Sequence, residues 1–381
     1  MKRFLSLTLA LLLLAAAMPS ARAEGDSPLT LSCESAVLME KETGELLFEQ
    51  NPHEKLEPAS VTKVMTLLLV MEAVDSGRIS LEDTVTVSAY AAGMGGSQVY
   101  LEEGEQMSVG EMIKCVTVVS GNDCAVALAE HLAGSETAFV SLMNQRAKEL
   151  GMEDTTFLNC TGLPAQGHVT SAYDIALMSR ELILNHPSIR QYTTIWMDSI
   201  RGGEFGLTNT NRLIRFYPGA TGLKTGSTDA ALYCMSATAE RDGMELIAVI
   251  MKAPTTNQRF EDAKALLDYG FANYTLASVY PDSPLAPVEV LLGAQGQVQP
   301  QLQRECKLLV SRGEESQIST RLSLAENVEA PVDEGQILGQ LEIYVGDELR
   351  DTVPILAAQG VNRLSVPGIF SQLLSRLLMG S

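Results

Sequence analysis

Apolar positions recur at helical spacing in four stretches between residues 61 and 184. Side chains that return every three or four positions predict helices with a buried face. Runs of β-prone residues flank short turn sequences near both ends of the same region. Strands at the ends with helices between them predict an antiparallel sheet covered by helices. The four predicted helices are Val61–Asp75, Ala125–Ala133, Glu136–Leu150 and Ser171–Leu184.

Two turn sequences predict β-hairpins at the ends of this region. The first is Lys41-Glu42-Thr43-Gly44, and the second is Asp242-Gly243. An Asp-Gly pair between β-prone runs is a strong hairpin signal, because such turns need positive φ. The strands expected on either side are Ala36–Met39 with Leu46–Glu49, and Ala231–Thr238 with Leu246–Met251.

A different pattern follows three prolines, Pro281, Pro284 and Pro287, which form a stiff link. Short β-rich runs alternate there with glycine-bearing turns, and helical periodicity is absent. This pattern predicts a small all-β domain. Its expected strands include Val288–Leu292, Cys306–Val310 and Leu341–Val345.

The N-terminal pattern is that of an export signal. Lys2 and Arg3 precede an apolar run that ends at Met18, and Ala21-Arg22-Ala23 supplies a small-residue cleavage site. This order predicts a secretory signal peptide, with an uncleaved membrane anchor as the alternative. The run is short for a bilayer span, which favours cleavage.

The C-terminal pattern predicts an amphipathic helix. Its apolar positions are Ile369, Phe370, Leu373, Leu374, Leu377 and Leu378. The helix is too short to span a bilayer, so peripheral membrane contact is expected, with a helix docked on its own domain or a free tail as alternatives. The expected divisions are therefore a signal peptide (1–23), an α+β domain (24–276), a small β-sandwich-like domain (281–358) and this helix (362–381).

Composition narrows the classes of function. The 381 residues are 46% hydrophobic and 19% charged, an ordinary globular mixture that excludes wholesale disorder. Lysine and arginine number 27 against 47 acidic residues, so the net charge is 27 − 47 = −20. Such an acidic surface repels phosphate backbones, which argues against a nucleic-acid partner.

Cysteines and histidines give no metal-binding pattern. No C-x-x-C pair occurs among the six cysteines, and none of the four histidines lies at ligand spacing from them. Phosphate-cradling and dinucleotide motifs are absent from the sequence too. We expect neither a metal nor a cofactor. An exported chain could oxidise one cysteine pair, which the sequence does not identify.

The first chemical motif is Ser60-Val61-Thr62-Lys63. A serine and a lysine three residues apart at a helix start share one face. Positive potential at a helix N-terminus favours a serine alkoxide and a neutral lysine, so Lys63 could act as a base for Ser60. The apolar run that follows predicts a buried helix. Taken alone, however, the motif is also typical of an ordinary N-cap serine.

Two further motifs follow in the chain. Ser120-Gly121-Asn122 lies between an apolar run and a predicted helix, where a capping turn is the simpler interpretation. Lys224-Thr225-Gly226 lies in a glycine-bracketed segment, which suits a close approach of ligand or backbone but also a surface turn. The three motifs in this order are the signature of penicillin-binding proteins and class A β-lactamases.

The flanking sequence resembles one family in particular. The segments EPASVTKVMT, GGSQVYLEEGEQMSV, SGNDCAVALAEHLAGS, TTFLNCTGLP and GATGLKTGSTDAA are similar to the low-molecular-weight D-alanyl-D-alanine carboxypeptidases of bacterial cell walls. The resemblance runs from about Ser32 to Tyr274, and less specifically through the β domain and the C-terminus. It implies an α+β, penicillin-binding-protein-like fold at the extracytoplasmic face of the membrane.

The resemblance implies a role for each motif. Ser60 would be acylated by the penultimate D-alanine of a peptidoglycan stem peptide, with Lys63 as base and Ser120 as proton relay. Asn122 would hold the substrate amide, and backbone N–H groups of Ser60 and Ser227 would form the oxyanion hole. The substrate-binding residues implied are Asn122, Lys224, Thr225, Gly226, Ser227 and Arg259, with Lys224, Thr225 and Arg259 serving the terminal carboxylate. β-Lactams are expected to acylate Ser60 stably.

Three other functions stay open at this point. A β-lactamase would need a deacylating acid, and Glu181 in an E-x-x-L-N match is the candidate, although it is expected to be an exposed helical glutamate. A transpeptidase or endopeptidase would use the same acyl-enzyme. A non-catalytic peptidoglycan-binding protein would need none of these motifs. Cys124, beside the S-G-N turn, stands where the family more often has a small residue.

Overall fold

The computed structural model describes residues 29–368, and regular structure begins with a β-hairpin. The predicted signal peptide and residues 369–381 of the predicted C-terminal helix lie outside the described residues. Within the described part, no helix is long and apolar enough to cross a bilayer. All six cysteines are buried as free thiols, so no pair among them is a disulfide.

The first domain is built on a five-stranded antiparallel sheet in the order β2-β1-β9-β8-β7. Both predicted hairpins are confirmed, since β1 pairs with β2 and β8 with β9. Two small hairpins, β3 with β4 and β5 with β6, lie outside this sheet. The strands are β1 (Ser35–Glu40), β2 (Leu46–Gln50), β3 (Thr84–Thr86), β4 (Gln106–Ser108), β5 (Met197–Ile200), β6 (Phe205–Thr208), β7 (Ala220–Thr228), β8 (Leu232–Arg241) and β9 (Met244–Ala253).

Helices lie between the N-terminal and C-terminal strands, as predicted. Each of the four predicted helices is present with ends shifted by up to three residues; the first opens with a 3-10 turn, Ala59–Thr62. The helices are α1 (Lys63–Asp75), α2 (Ala89–Ala92), α3 (Val109–Val118), α4 (Asn122–Ala133), α5 (Glu136–Glu149), α6 (Ala172–Asn185), α7 (Arg190–Thr193), α8 (Leu213–Phe216) and α9 (Thr256–Asn273).

Three elements go beyond the sequence prediction. The K-T-G segment is the sheet strand β7 rather than a surface turn. Helix α9 packs on the sheet, although the charged residues along it interrupt the spacing of its apolar residues. Helix α3 occupies the stretch before the S-G-N motif. Thr255 starts α9 as its N-cap, because its hydroxyl accepts the N–H of Gln258.

The core of this domain surrounds α1. Every residue from Lys63 to Met71 is buried, which explains why the helix has no polar face. Its neighbours in the core come from α4, α5, α6 and the inner face of the sheet. One ionisable side chain, that of Lys63, therefore lies in the core at the first position of the helix.

The second domain is all-β, as predicted. Strand β10 begins directly after α9 and pairs with β14, so the expected domain end at residue 276 falls inside a strand. Two apolar clusters fill the interior of this domain. The strands are β10 (Tyr274–Val279), β11 (Val288–Leu291), β12 (Gln297–Val298), β13 (Pro300–Leu302), β14 (Cys306–Ser311), β15 (Ile318–Leu324), β16 (Asn327–Glu329), β17 (Ile337–Val345) and β18 (Glu348–Ala357).

Candidate active site

The 3-10 turn places Ser60 and Lys63 side by side. Lys63 Nζ lies 3.1 Å from Ser60 Oγ, and the Lys63 side chain is fully buried whereas Ser60 is half-buried. Ala59, just before the serine, has a φ of 47°, which is unusual for a residue other than glycine. Such a turn persists only when surrounding structure holds it.

Two glycines pack against the backbone of this turn. A Cβ on Gly162 would lie 1.8 Å from the Ala59 carbonyl oxygen, and a Cβ on Gly226 would lie 2.7 Å from the Ser60 nitrogen. Both positions therefore exclude any side chain. Because Gly226 belongs to β7, the edge strand of the sheet runs directly beside the backbone of Ser60.

Lys63 has three oxygen neighbours. Besides Ser60 Oγ, its Nζ lies 2.6 Å from Asn122 Oδ1 and 2.7 Å from the Thr161 carbonyl oxygen. A neutral amine has two N–H groups, which suit the amide and the carbonyl, and its lone pair then faces the Ser60 hydroxyl. Burial lowers the pKa of Lys63 to about 7, against smaller opposing effects of Cys160 and Asp123. The neutral base is thus well populated at neutral pH.

The S-G-N motif lies at the start of α4, and its Asn122 contacts Lys63. Ser120 has a φ of 65°, and its buried Oγ has no hydrogen-bond partner among residues 29–368. The structure therefore does not join Ser120 directly to Lys63. The hydroxyl is nevertheless free to accept one proton and donate another.

Asn122 is bonded to protein at both ends of its amide. Its Oδ1 accepts from Lys63, and its Nδ2 donates to the Gly95 carbonyl at 2.6 Å. The Asn122 N–H also donates to the Ser97 carbonyl at 2.7 Å. One Nδ2 hydrogen is left for a substrate, so the geometry gives Asn122 a role in orienting Lys63 as well as the expected contact with the substrate amide.

Strand β7 carries the K-T-G motif along the edge of the sheet. Lys224 is 1% exposed and donates to the Thr225 carbonyl at 2.9 Å. Burial, and then the positive charges of Lys63 and Arg259, hold the Lys224 pKa well below its usual range. Thr225 shares a hydrogen bond of 2.7 Å with the Thr210 hydroxyl, and Ser227 is exposed at the end of the motif.

Arg259 lies on α9 and supports β7. Its Nη1 donates to the carbonyl oxygens of Gly226, at 3.2 Å, and Cys234, at 3.4 Å, and its guanidinium stacks on the Phe260 ring at 4.7 Å. Its buried Nε has no partner among the described residues. Burial lowers the Arg259 pKa to about 10, so the side chain stays charged. These bonds go to backbone rather than to Thr225 or Ser227.

Sequence reasoning missed several residues that build the site. Thr161 and Gly162 contact Lys63 and Ala59, and their signal lay in the NCTGLP segment, which carried no assigned role. Asp123 was missed as well. Its carboxylate accepts the N–H groups of Val99, at 2.9 Å, and Leu101, at 3.2 Å, and so ties the preceding loop to α4.

Glu181 is not the exposed glutamate that the sequence predicted. It is half-buried, and its oxygens contact Arg146 at 2.6 Å and Asn185 at 3.0 Å. Arg146 also binds Glu72, which lies nine residues after Lys63 on α1, a rise of about 13 Å. Glu181, on α6, is therefore held by Arg146 beside a part of α1 far from Ser60, and its oxygens are already bonded, so it cannot activate a water at Ser60.

His186 is less isolated than its spacing suggested. One atom each of His186, Glu72 and Glu181 could approach a common cation, since these atoms lie within 4.8 Å of one another. Arg146 already contacts both glutamates, however, and His186 pairs with Asp75 at 2.5 Å. The cluster is thus an ion-pair network on the helical layer.

A buried lysine against a serine, with an edge strand of the sheet beside them, defines a serine acyl-transfer enzyme of the penicillin-binding class. The family model described as D-alanyl-D-alanine carboxypeptidase matches residues 22–255, and the penicillin-binding protein 5 C-terminal domain matches residues 274–363. The chain belongs to the D-alanyl-D-alanine carboxypeptidase family.

Individual relatives agree with this assignment. The chain is 41% identical over 372 residues to D-alanyl-D-alanine carboxypeptidase DacF of Bacillus subtilis, covering 95% of each chain. It is 33% identical to DacC of Escherichia coli, covering 85% of this chain and 83% of that one. Penicillin-binding protein 5 of Haemophilus influenzae superposes with a TM-score of 0.77 at 29% identity, covering 89% of this chain and all of that one.

Proposed function

We propose that this chain is a serine D-alanyl-D-alanine carboxypeptidase that removes the terminal D-alanine from peptidoglycan stem peptides through an acyl-enzyme on Ser60. The observation that carries the residue assignment is the contact between the buried Lys63 amine and Ser60 Oγ, 3.1 Å apart. A serine needs an adjacent base to attack a carbonyl, and a buried lysine that loses its proton near neutral pH supplies one.

Substrate binding begins at β7. The terminal carboxylate of the stem peptide binds the Thr225 hydroxyl beside Lys224, and its negative charge favours the protonated form of that lysine. Arg259 supports the strand from α9. The penultimate carbonyl oxygen accepts the backbone N–H groups of Ser60 and Ser227. Gly226 lets these two N–H groups come close together, because its Cα packs directly on the Ser60 backbone.

Acylation then proceeds with a balanced transfer of one proton. Neutral Lys63 takes the hydroxyl proton of Ser60 as Oγ attacks the carbonyl carbon, and the carbonyl oxygen becomes an oxyanion. The tetrahedral intermediate collapses as the C–N bond breaks. The proton passes from Lys63 through the Ser120 hydroxyl to the leaving nitrogen, and D-alanine departs with a neutral amine.

Deacylation reverses the roles of these groups. Water attacks the ester carbonyl while Lys63 accepts one of its protons. The oxyanion that forms again accepts hydrogen bonds from the N–H groups of Ser60 and Ser227. The C–Oγ bond breaks, and Lys63 returns the proton to Ser60. The products are the shortened peptide acid and the starting enzyme, so the cycle needs no metal or cofactor.

β-Lactams are proposed as covalent inhibitors of the same serine. Penicillin-binding protein D2 of Listeria monocytogenes, which is 34% identical and superposes with a TM-score of 0.59 over 64% of this chain, has been solved in an ampicillin-bound form. Opening of the lactam ring leaves the amine tethered to the acyl group. A tethered leaving group blocks the approach of water and makes the acyl-enzyme long-lived.

The test uses a fluorescent penicillin and the peptide diacetyl-L-Lys-D-Ala-D-Ala. We expect the parent protein to take up the label and release D-alanine, and Ser60→Ala and Lys63→Ala to do neither. Matched controls are Ser141→Ala and Lys148→Ala, both exposed on α5. These controls should behave as the parent.

Other outcomes point to the alternative functions. Label without D-alanine release would indicate a transpeptidase or an endopeptidase. Penicillin turnover without lasting label would indicate a β-lactamase, which the bonding of Glu181 to Arg146 disfavours. Absence of both label and release would leave a non-catalytic peptidoglycan-binding protein.

An extracytoplasmic location with peripheral membrane contact is part of the same proposal. It is supported by the N-terminal export pattern and by the apolar spacing after Pro367. Leu364 donates its N–H to the Leu292 carbonyl, so a deletion should spare it and remove residues 367–381 only. We expect the full chain in the membrane fraction and the truncated chain in the soluble exported fraction; equal fractionation would contradict the anchor.

A further inference from the structure

His168 is a buried histidine that the proposed mechanism does not use. It is 3% exposed and lies in the segment between α5 and α6. Its Nδ1 lies 3.1 Å from the backbone nitrogen of Leu158, and its Nε2 lies 2.8 Å from Thr62 Oγ1. Because a backbone N–H only donates, Nδ1 must accept, which places the ring proton on Nε2. His168 is therefore a neutral donor to Thr62.

Thr62 lies between the nucleophile and its base. It is fully buried in the 3-10 turn that carries Ser60, and Lys63 follows it directly. The hydrogen bond from His168 therefore holds a residue inside the Ser60–Lys63 motif. Short 3-10 turns have poorer internal hydrogen bonds than α-helices, so their rotation depends on such tertiary contacts.

The segment that carries His168 contacts the nucleophile helix at two other points. The Thr161 carbonyl accepts from Lys63, and the Cys160 carbonyl accepts from the Thr66 hydroxyl at 2.7 Å. Those two bonds hold the start of the segment against α1. The bond from His168 to Thr62 holds a later part of the segment. The same ring accepts the N–H of Leu158, ten residues earlier, and so ties the segment to itself.

We propose that His168 is a positioning residue for the acylation reaction, acting through Thr62 to set the rotation of the Ser60 turn. The bond keeps Ser60 Oγ facing the Lys63 amine despite the strained φ of Ala59. His168 does not itself exchange a proton with Ser60, because both of its ring nitrogens are already engaged. This inference rests on the proposed acylation of Ser60.

The test compares variants that remove the bond with one that retains it. His168→Leu removes both ring contacts, and Thr62→Val removes the acceptor with little change in shape. His168→Gln keeps an acceptor and a donor separated by one carbon, as in the ring, so it can bond Leu158 and Thr62 together. His131→Leu, at an exposed histidine of α4, is the matched control.

The readout is the time course of labelling by a fluorescent penicillin at several concentrations, which separates the maximal acylation rate from the dissociation constant. We expect His168→Leu and Thr62→Val each to lower the maximal rate roughly tenfold, with the dissociation constant unchanged, because misplacement of a nucleophile slows chemistry rather than binding. The double variant should lose no more than either single one, and His168→Gln should stay within about twofold of the parent.

Three other outcomes would overturn the positioning role of His168 or the proposed function itself. A parental maximal rate in folded Thr62→Val or His168→Leu would overturn the inference, as would a His168→Gln variant as slow as His168→Leu. Thermal melting by circular dichroism identifies folded variants; should His168→Leu fail to fold, Thr62→Val decides by itself. A parent protein that takes up no label would instead refute the proposed function.

Discussion

Gly162 packs so closely on Ala59 that a Cβ at residue 162 would lie 1.8 Å from the Ala59 carbonyl oxygen. The glycine has a φ of +82°, and it sits directly after Thr161, whose carbonyl accepts from Lys63. The Thr161–Gly162 dipeptide thus supports both the backbone before Ser60 and the Lys63 amine that we propose activates Ser60. Its position, rather than its own chemistry, connects it to the reaction.

Gly162→Ala should therefore slow acylation strongly in a protein that still folds. The added methyl forces Ala59 away from its strained conformation and moves the Ser60 N–H, so we expect at least a hundredfold slower labelling by fluorescent penicillin. Gly151→Ala is the matched control, because Gly151 also has a positive φ, of 74°, but has nothing within 4 Å of the added Cβ. The control should lose about 1 kcal/mol of stability and label normally. Equal behaviour of the two variants would contradict the proposed role of Gly162.

Lys63 predicts the pH dependence of acylation. Its pKa of about 7 means that the neutral base becomes scarcer as the pH falls. The second-order rate constant for labelling should therefore rise with pH through about 7 and then level, with a tenfold loss per unit on the acid side. A flat profile between pH 5 and 9 in a stable protein would show that Lys63 is not the base.

Lys63→Arg provides a sharper version of this test. A guanidinium stays protonated across the accessible pH range, so this variant has a positive side chain at every pH and no neutral amine to act as the base. We expect no labelling at any pH, and circular dichroism at each pH should verify that the protein is folded. Labelling that reappears at alkaline pH would instead indicate a different base.

The local part of the site could be predicted from the sequence. Ser60 and Lys63 lie three residues apart, a spacing that brings their side chains together on a helical turn, and the apolar residues after Lys63 indicated that the lysine is buried. Turn residues between β-prone runs predicted both hairpins. These signals depend on neighbours in sequence, which is why spacing was sufficient.

The remainder depends on contacts between distant segments. Nothing in the spacing of Lys63, Asn122 and Thr161 shows that they share hydrogen bonds, since residues 59 and 98 positions apart meet only in the folded chain. Strand β7 was uncertain for a related reason. Its glycines and buried lysine look like a turn until the sheet places them beside Ser60.

Arg259 could support β7, bind the substrate carboxylate, or do both, and one variant separates these roles. Because its Nη1 bonds the carbonyls of Gly226 and Cys234, Arg259→Met should destabilise the protein by about 1.5–3 kcal/mol in guanidinium unfolding. If Arg259 also serves the substrate carboxylate, the variant should lose more activity toward an acyl-D-Ala-D-Ala acid than toward the corresponding D-lactate methyl ester. Equal losses on both substrates would leave support of β7 as its role. Lys264→Met, on the same helix, is the control.

His168 should make the folded state sensitive to acid. Burial lowers its pKa to about 4, from an ordinary value of 6.5. Between these values the unfolded chain binds a proton that the folded chain rejects, so stability falls as the pH is lowered from 6.5 to 4 and changes no further below that from this group. The shift of about 2.5 units corresponds to about 3 kcal/mol. Protonation would turn Nδ1 from an acceptor into a donor facing the Leu158 N–H.

Urea unfolding of the parent and of His168→Gln at pH 7, 6, 5 and 4 would measure this contribution. Carboxylates with lowered pKa values, such as Glu105, also destabilise the protein in acid, but they do so equally in both proteins. The difference between the two free energies of unfolding should therefore move by about 3 kcal/mol in favour of the glutamine variant as the pH falls from 7 to 4. A difference that stays constant over this range would mean that His168 is protonated in the folded state, which its bond from Leu158 does not allow.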